Sequence, residues 1–265
     1  MEGFDPLTYW ERRLHGSFRA AGVGCLGLSD SYNRWLQRIK ARAFRSAVRM
    51  IPWNWGDKRV LDIGSGTGFC IQQWKSAGVG QLVGSDFATH AVRRLQRTWP
   101  DVPVMRIDIT EADLLVDGPF DAISAFDVLF HITDDEAYRR AFKNIGALLR
   151  PGGYLLCTEN FLHGWEERSG HLTSRDVRQI EATIAEAGLA AVRRLPVFVL
   201  MNRPIDSPSR LRQWCWRQVE RLAIHEVRGW LAGAALYPIE AALTRVKDEG
   251  PSTELMLCRR NPSLR

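Results

Sequence analysis

From Arg59 to Leu195 the chain alternates short runs of apolar, largely β-branched residues with segments that are apolar every three or four positions. Runs of the first kind suit strands buried on both faces, and segments of the second suit helices that cover them. The predicted strands are Arg59–Ile63, Gln81–Ser85, Val102–Ile107, Asp121–Phe126, Gly153–Thr158, Ala190–Leu195 and, after an interruption, Thr253–Arg259. Thr133 and Glu136 have the spacing of a capping box. A helix from there buries Tyr138, Phe142, Ile145 and Leu149 and stops at Pro151-Gly152-Gly153. Another begins after Thr173-Ser174, buries Val177, Ile180 and Ile184, and ends at Gly188. Residues 1–52 read as helices outside the sheet, with Trp35, Ile39, Phe44 and Val48 recurring after Asp30-Ser31. Between Pro196 and Pro251, Trp214, Trp216 and Trp230 fall in helical stretches, and so long a connection needs structure of its own. The predicted organisation is an amino-terminal helical cap (1–52), an α/β core (53–200), a helical substrate-lid insertion (201–251), and a last strand with its tail (252–265). The fold class is a doubly wound α/β sheet of seven strands, mostly parallel, whose last strand lies antiparallel beside its predecessor.

Composition narrows the picture. A hydrophobic fraction of 45% and a charged fraction of 25% in 265 residues are globular values. No apolar run reaches 18 residues, and the start of the chain, with Glu2, Asp5 and Glu11, is unlike a signal peptide, so a cytoplasmic protein with no membrane partner is expected. Five cysteines without a CxxC or Cys/His pattern support neither a disulfide framework nor a metal site. Only five of the 36 basic residues are lysine, and the arginines alternate with acids along the chain. Despite the net charge of +6, this describes a solvated surface better than a nucleic-acid face.

The segment Val60-Leu-Asp62-Ile-Gly64-Ser-Gly66-Thr-Gly68 places an apolar strand before a glycine-rich turn and a helix. Glycines permit positive φ and let a ligand lie against the backbone, and the helix start offers free amides. The dinucleotide pattern GxGxxG would need glycine where Phe69 stands, which disfavours a nicotinamide oxidoreductase. The glycines here follow GxGxG, two residues after an acid. Further landmarks come in order: Gly84-Ser85-Asp86-Phe87, Arg106-Ile107-Asp108-Ile109, Phe120 to His131, and Leu149-Arg-Pro-Gly-Gly-Tyr-Leu-Leu156.

In these motifs, from about Trp53 to Leu195 and again in the final strand, the chain resembles the class I S-adenosylmethionine-dependent methyltransferases of Rossmann-like fold. The resemblance implies S-adenosyl-L-methionine as cofactor. It gives Asp86, followed by Phe87, the ribose hydroxyls, Asp108 the adenine amino group, and the Ile109 amide a ring nitrogen. It sets Asp62 toward the methionine amino group, with Gly64, Ser65 and Gly66 in close approach and the main chain at Phe126 beside the sulfonium. Tyr32, in the leading helices, is implied to close over the cofactor.

An activated sulfonium leaves the protein to align an acceptor and exclude water, and no metal is required. His131, just past the fourth strand, is the candidate base, with bracing of the following helix as its alternative role. Tyr9, Trp10, His163, Met201 and Arg203 are candidate acceptor contacts, and tryptophans in the insertion suggest an apolar lid over them. The expected reaction is methyl transfer to an oxygen or nitrogen of a small natural-product or sugar-like molecule. Alternatives are an RNA methyltransferase and a non-catalytic module that only binds the cofactor. Phe126-Asp127-Val128-Leu129 stands where an Asn-Pro-Pro-Tyr type motif would mark amino-adenine or glutamine methylation.

Overall fold

The computed structural model describes residues 4–16 and 18–262; the remaining ends of the expected cap and tail, residues 1–3 and 263–265, lie outside them, as does residue 17. Three helices come first: α1 (Pro6–Gly16), α2 (Ala20–Val23) and α3 (Asp30–Met50). The core follows as β1 (Arg59–Asp62), α4 (Phe69–Ser76), β2 (Gln81–Asp86), α5 (Thr89–Thr98), β3 (Val104–Arg106), β4 (Phe120–Ala125), α6 (Asp135–Leu148) and β5 (Leu149–Asn160). After it come β6 (Glu167–Ser169), β7 (Leu172–Ser174), α7 (Val177–Glu186), β8 (Leu189–Pro196), α8 (Arg210–Ala223), α9 (Glu226–Val246) and β9 (Thr253–Arg260).

Seven strands form one sheet in the order β3-β2-β1-β4-β5-β9-β8. All its neighbours are parallel up to β5, and β9 runs antiparallel to both β5 and β8. The alternation of side chains along a strand divides the core in two. Val60, Ala122, Leu156 and Leu257 face α3 and α4 with Leu36, Phe44 and Trp74. Leu61, Ile123, Leu155 and Met256 face α6 and α7 with Phe142, Ile145 and Ile180. Because the strand order reverses about β1 and β4, their carboxyl ends open a crevice, the place where such sheets bind ligands.

The sequence pattern missed some local choices. The cap of α6 is Asp134, whose side chain accepts from the Ala137 amide at 2.7 Å, while the Thr133 carbonyl accepts from Arg168. Thr173-Ser174 does not open α7: it closes the β6–β7 hairpin, and Asp176 caps the helix instead. That hairpin has no apolar alternation to announce it. The insertion is helical, as expected, but α9 packs along α3. Glu226 accepts from the Asp30 and Ser31 amides, and Gly233 leaves room for the Trp35 ring.

Candidate active site

β1 ends on Asp62, and the chain then turns through Gly64 (φ +64°), Gly66 (φ +54°) and Gly68 (φ +91°) before α4 begins. A side chain is strained in this left-handed region, so the turn needs its glycines. Asp62 is buried at the base of the turn. Its Oδ1 accepts from Ser124 Oγ at 2.5 Å, and Ser124 in turn accepts from Trp74 Nε1 at 2.9 Å. The other oxygen, Oδ2, is buried with no hydrogen-bond partner. Burial pushes this carboxyl up to about 7 despite the Ser124 bond. Asp86 closes β2 and braces the same turn, accepting from the Gly66 and Ala88 amides, each at 2.9 Å. Burial raises it to about 6.

These groups line a cavity of about 240 Å³. Phe87, Ile107, Asp108 and Ile109 form one wall; Phe126, Asp127 and His131, past the end of β4, form another. Pro6, Trp10 and Leu14 of α1, with Val23 of α2, roof it. Glu11 fastens that roof to the start of α5, accepting from the Thr89 and His90 amides at 2.6 and 3.1 Å. Arg13 bonds Gly22 and Gly24 carbonyls and lies over the Trp10 ring.

The cavity therefore gathers Asp62, Gly64, Ser65, Gly66, Asp86, Phe87, Asp108, Ile109, Phe126, His131 and Trp10 from the residues singled out in the sequence. Asp108 Oδ1 is engaged by the Thr110 amide and hydroxyl. Tyr9 lies beside the lining, stacked on His171. Four residues require correction. Tyr32 does not reach the cavity: it is fully buried, and its hydroxyl donates to the Met201 carbonyl at 2.9 Å. Met201 is likewise core, because Glu240 of α9 accepts the Val199, Leu200 and Met201 amides and draws that strand-end behind α3. His163 pairs with Asp206 at 2.6 Å, and Arg203 with Glu167, on the outer surface. No residue of α8 or α9 lines the cavity, so the insertion buttresses α3 rather than covering the site.

Sequence reading overlooked Lys40 and Asp127. Both line the cavity, and Lys40 Nζ forms an ion pair with Asp127 Oδ2. Thr158 Oγ1 donates to Asp127 Oδ1 at 3.1 Å and accepts from the Asp127 amide at 2.7 Å. Asp127 is the one described non-glycine residue with positive φ, +56°. Strain of this kind collects at functional sites. The available signal was the position of Lys40, at i+4 from Leu36 and i−4 from Phe44 in an otherwise apolar stripe, where a charge needs a buried partner. His131 is held too: Nδ1 lies 2.8 Å from the His171 carbonyl, so it carries the proton and Nε2 keeps its lone pair. Burial lowers this imidazole to about 4, leaving it neutral near pH 7.

A family model described as a methyltransferase domain matches residues 60–153, the stretch that builds the glycine turn, Asp86 and the end of β4. Over that stretch the chain carries a methyltransferase domain, consistent with a class I S-adenosylmethionine-dependent methyltransferase. Among curated members, an mRNA cap guanine-N(7) methyltransferase of Arabidopsis thaliana is 32% identical over 122 residues, 38% of this chain and 33% of that protein. The ubiquinone biosynthesis O-methyltransferase of Chromobacterium violaceum is 30% identical over 102 residues, 37% of this chain and 42% of that one. The chain thus spans between a third and a half of the length of these relatives. The magnesium protoporphyrin IX methyltransferase of Synechocystis shares the fold at a TM-score of 0.58, with 13% identity, over 98% of this chain and 100% of that chain.

The cofactor of this methyltransferase family is S-adenosylmethionine, and the site fits it. Asp62 Oδ2 is an unpartnered, buried acceptor of the sort an ammonium would satisfy, and the glycine turn offers its backbone beside it. Each Asp86 oxygen accepts only one amide, which leaves lone pairs for two ribose hydroxyls. Replacing Asp86→Ala should weaken cofactor binding by about 1–3 kcal/mol, read by titration calorimetry, since the hydroxyls lose their acceptor and Gly66 its brace. Unchanged affinity would remove Asp86 from the sugar.

Proposed function

We propose that this methyltransferase moves the methyl group of S-adenosylmethionine to an oxygen or nitrogen of a small acceptor that is neutral or carries an amine. The observation that carries this reading is the charge of the lining: Asp62, Asp86, Asp108, Asp127 and Asp134 against a single lysine, Lys40, already paired with Asp127. Such a cavity suits a cationic cofactor and disfavours a carboxylate or phosphate on the acceptor. Similarity to a cap guanine methyltransferase raises RNA as a second reading. A polyphosphate or nucleic-acid backbone calls for arginines and lysines at the site, however, and no arginine among the described residues lines this cavity.

The bound cofactor supplies a methyl group already activated as a sulfonium. Asp62 and Asp86 would hold its amino group and its ribose, so the chain's remaining tasks are aligning the acceptor and keeping water away. Trp10, Leu14, Val23 and Phe126 do the second with apolar surface. His131 addresses the first, because Nε2 can accept a hydrogen bond from an acceptor O–H or N–H. An imidazole lowered to about 4 is a weak proton store, so its contribution is to orient more than to ionise. Asp127, fixed by Lys40 and Thr158, offers a second acceptor on the same wall.

Two outcomes follow for His131. At saturating cofactor, turnover should stay level from about pH 5.5 to 7.5, since protonation of His131 sets in only near its lowered value, well below an ordinary histidine's 6.5. His131→Ala should lower turnover by about ten- to a hundred-fold, with cofactor affinity retained. Full activity in that variant would assign the residue to packing alone. The reading as a whole is tested with methyl-labelled cofactor and a panel of phenols, alcohols, amines, carboxylic acids and capped RNA. Label is expected in the first three classes; label in RNA alone, or cofactor binding without transfer to any of them, would contradict it.

A further inference from the structure

The helices α8 and α9 carry an outer face that no other described element covers. On α9, Val227, Leu231, Ala235, Ile239, Ala242 and Val246 recur at intervals of three or four, so they form one stripe along the helix, about 30 Å long. Val227, Leu231, Ile239 and Val246 are each more than half exposed, as is Trp230 at the edge. Between Arg228 and Arg245 the only charged residue of the helix is Glu240, which is fully buried and spent on the amides of residues 199–201. An ordinary solvent-facing helix would carry charges on this side. Its opposite face, with Gly229, Gly233 and Ala241, is occupied by the body of the protein.

α8, the neighbouring helix, presents a different mixture. Leu211, Trp214 and Leu222 are exposed along one side, and Arg210, Arg217 and Arg221 occupy the adjoining turn positions at intervals of seven and four. From 209 to 247 the chain has seven cations and three acids, and two of the acids, Glu226 and Glu240, are engaged with backbone amides. The two packed helices thus expose an aliphatic stripe on α9, Trp214 and Trp230, and the arginines of α8.

We infer that this hairpin face docks the protein on an anionic phospholipid bilayer. It would lie in the plane of the headgroups without crossing, since no described helix is long and apolar enough to span a membrane. The exposed groups complement such a surface chemically. Aliphatic side chains enter the acyl boundary, indole rings favour the headgroup level, and arginines reach lipid phosphates while their stems stay in apolar surroundings. A second copy of the chain is a poorer occupant. Packing α9 on α9 about a two-fold axis would bring Arg228 of one helix to the Arg245 and Lys247 end of the other, like charge against like. Asp248 and Glu249 near that end are already paired with Arg193 and Arg194.

Vesicle sedimentation of the full-length protein tests this. Phosphatidylcholine vesicles containing phosphatidylglycerol should pellet the protein, pure phosphatidylcholine should pellet far less, and about 0.5 M salt should release it. The double variants Leu231→Asp/Ile239→Asp and Arg217→Glu/Arg221→Glu alter only exposed positions. Each should lower the bound fraction about ten-fold or more while melting temperature and cofactor binding stay those of the parent. Three results would overturn the inference: no pelleting with anionic vesicles, pelleting that neither variant changes, or a dimer in analytical ultracentrifugation that Leu231→Asp/Ile239→Asp dissociates.

Discussion

Asp62→Asn is expected to abolish cofactor binding at working concentrations while leaving the fold intact. In the parent, Oδ1 is fixed by Ser124 and Oδ2 waits, buried, without a partner. An asparagine keeps the oxygen that accepts from Ser124, but turns an amide N–H toward the space proposed for the cofactor's ammonium. Losing one side of a buried, hydrogen-bonded charge pair costs about 2–5 kcal/mol, so affinity should fall by about a hundred-fold or more. The variant should also be less sensitive to pH. Asp62 has its folded value raised to about 7 from an ordinary 3.8, so the stability linked to its proton is full below about pH 4 and is lost as pH rises through 7. Removing the carboxyl removes that loss, and thermal melts of the cofactor-free variant should change less between pH 5 and 8 than those of the parent, by about 2.5 kcal/mol at most.

The same titration governs the parent's affinity. Only the ionised carboxylate attracts an ammonium, so binding should strengthen about ten-fold from pH 6 to 7.5, with a proton released on binding in the lower part of that range. Asp86, raised to about 6, acts in the same direction. Above pH 8 the cofactor's own α-amino group begins to lose its charge, and the gain should cease. Calorimetry in two buffers of different ionisation enthalpy measures both quantities. An affinity that is flat from pH 6 to 7.5 would separate Asp62 from the amino group.

The second large effect is at Lys40. Its ammonium is buried beneath α3, and its partner Asp127 is held in a left-handed backbone conformation with Thr158 on the other oxygen. Breaking such a pair by removing one member leaves a stranded charge and costs about 3–5 kcal/mol. Lys40→Met should therefore lower the melting temperature by roughly ten degrees. Asp127→Asn keeps a residue type that tolerates positive φ and should cost less. The double variant Lys40→Met/Asp127→Asn should recover most of the loss, because no charge remains to be compensated. Additive losses in that cycle would mean that the two side chains do not share their energy. Recovered stability without recovered turnover, by contrast, is what a pair working on the cavity wall predicts.

Much of the frame was legible in the chain because its signals are local. Seven strand runs, the glycine turn and the acid closing β2 are each fixed by a few neighbouring residues, and the sheet unites them in the expected way. Roles that depend on what packs behind them were not legible. Tyr32 has the composition of a cofactor contact, but its direction is set by the Met201 carbonyl, 169 residues later in the chain. The insertion's tryptophans suggested a lid, yet Glu240 and the glycines of α9 commit that helix to α3. Lys40 and Asp127 stand 87 residues apart, and only the meeting of α3 with the end of β4 makes them a pair. The β6–β7 hairpin, three residues a side, leaves no period to read.

The most direct test of the central claim is a crystal structure with S-adenosylhomocysteine, the demethylated product, at saturating concentration. The account places the amino group on Asp62 Oδ2, the ribose on Asp86, and the thioether against Phe126 under the Trp10 roof. A product whose sugar lies away from Asp86, or a glycine turn left empty while the ligand occupies another part of the molecule, would contradict it.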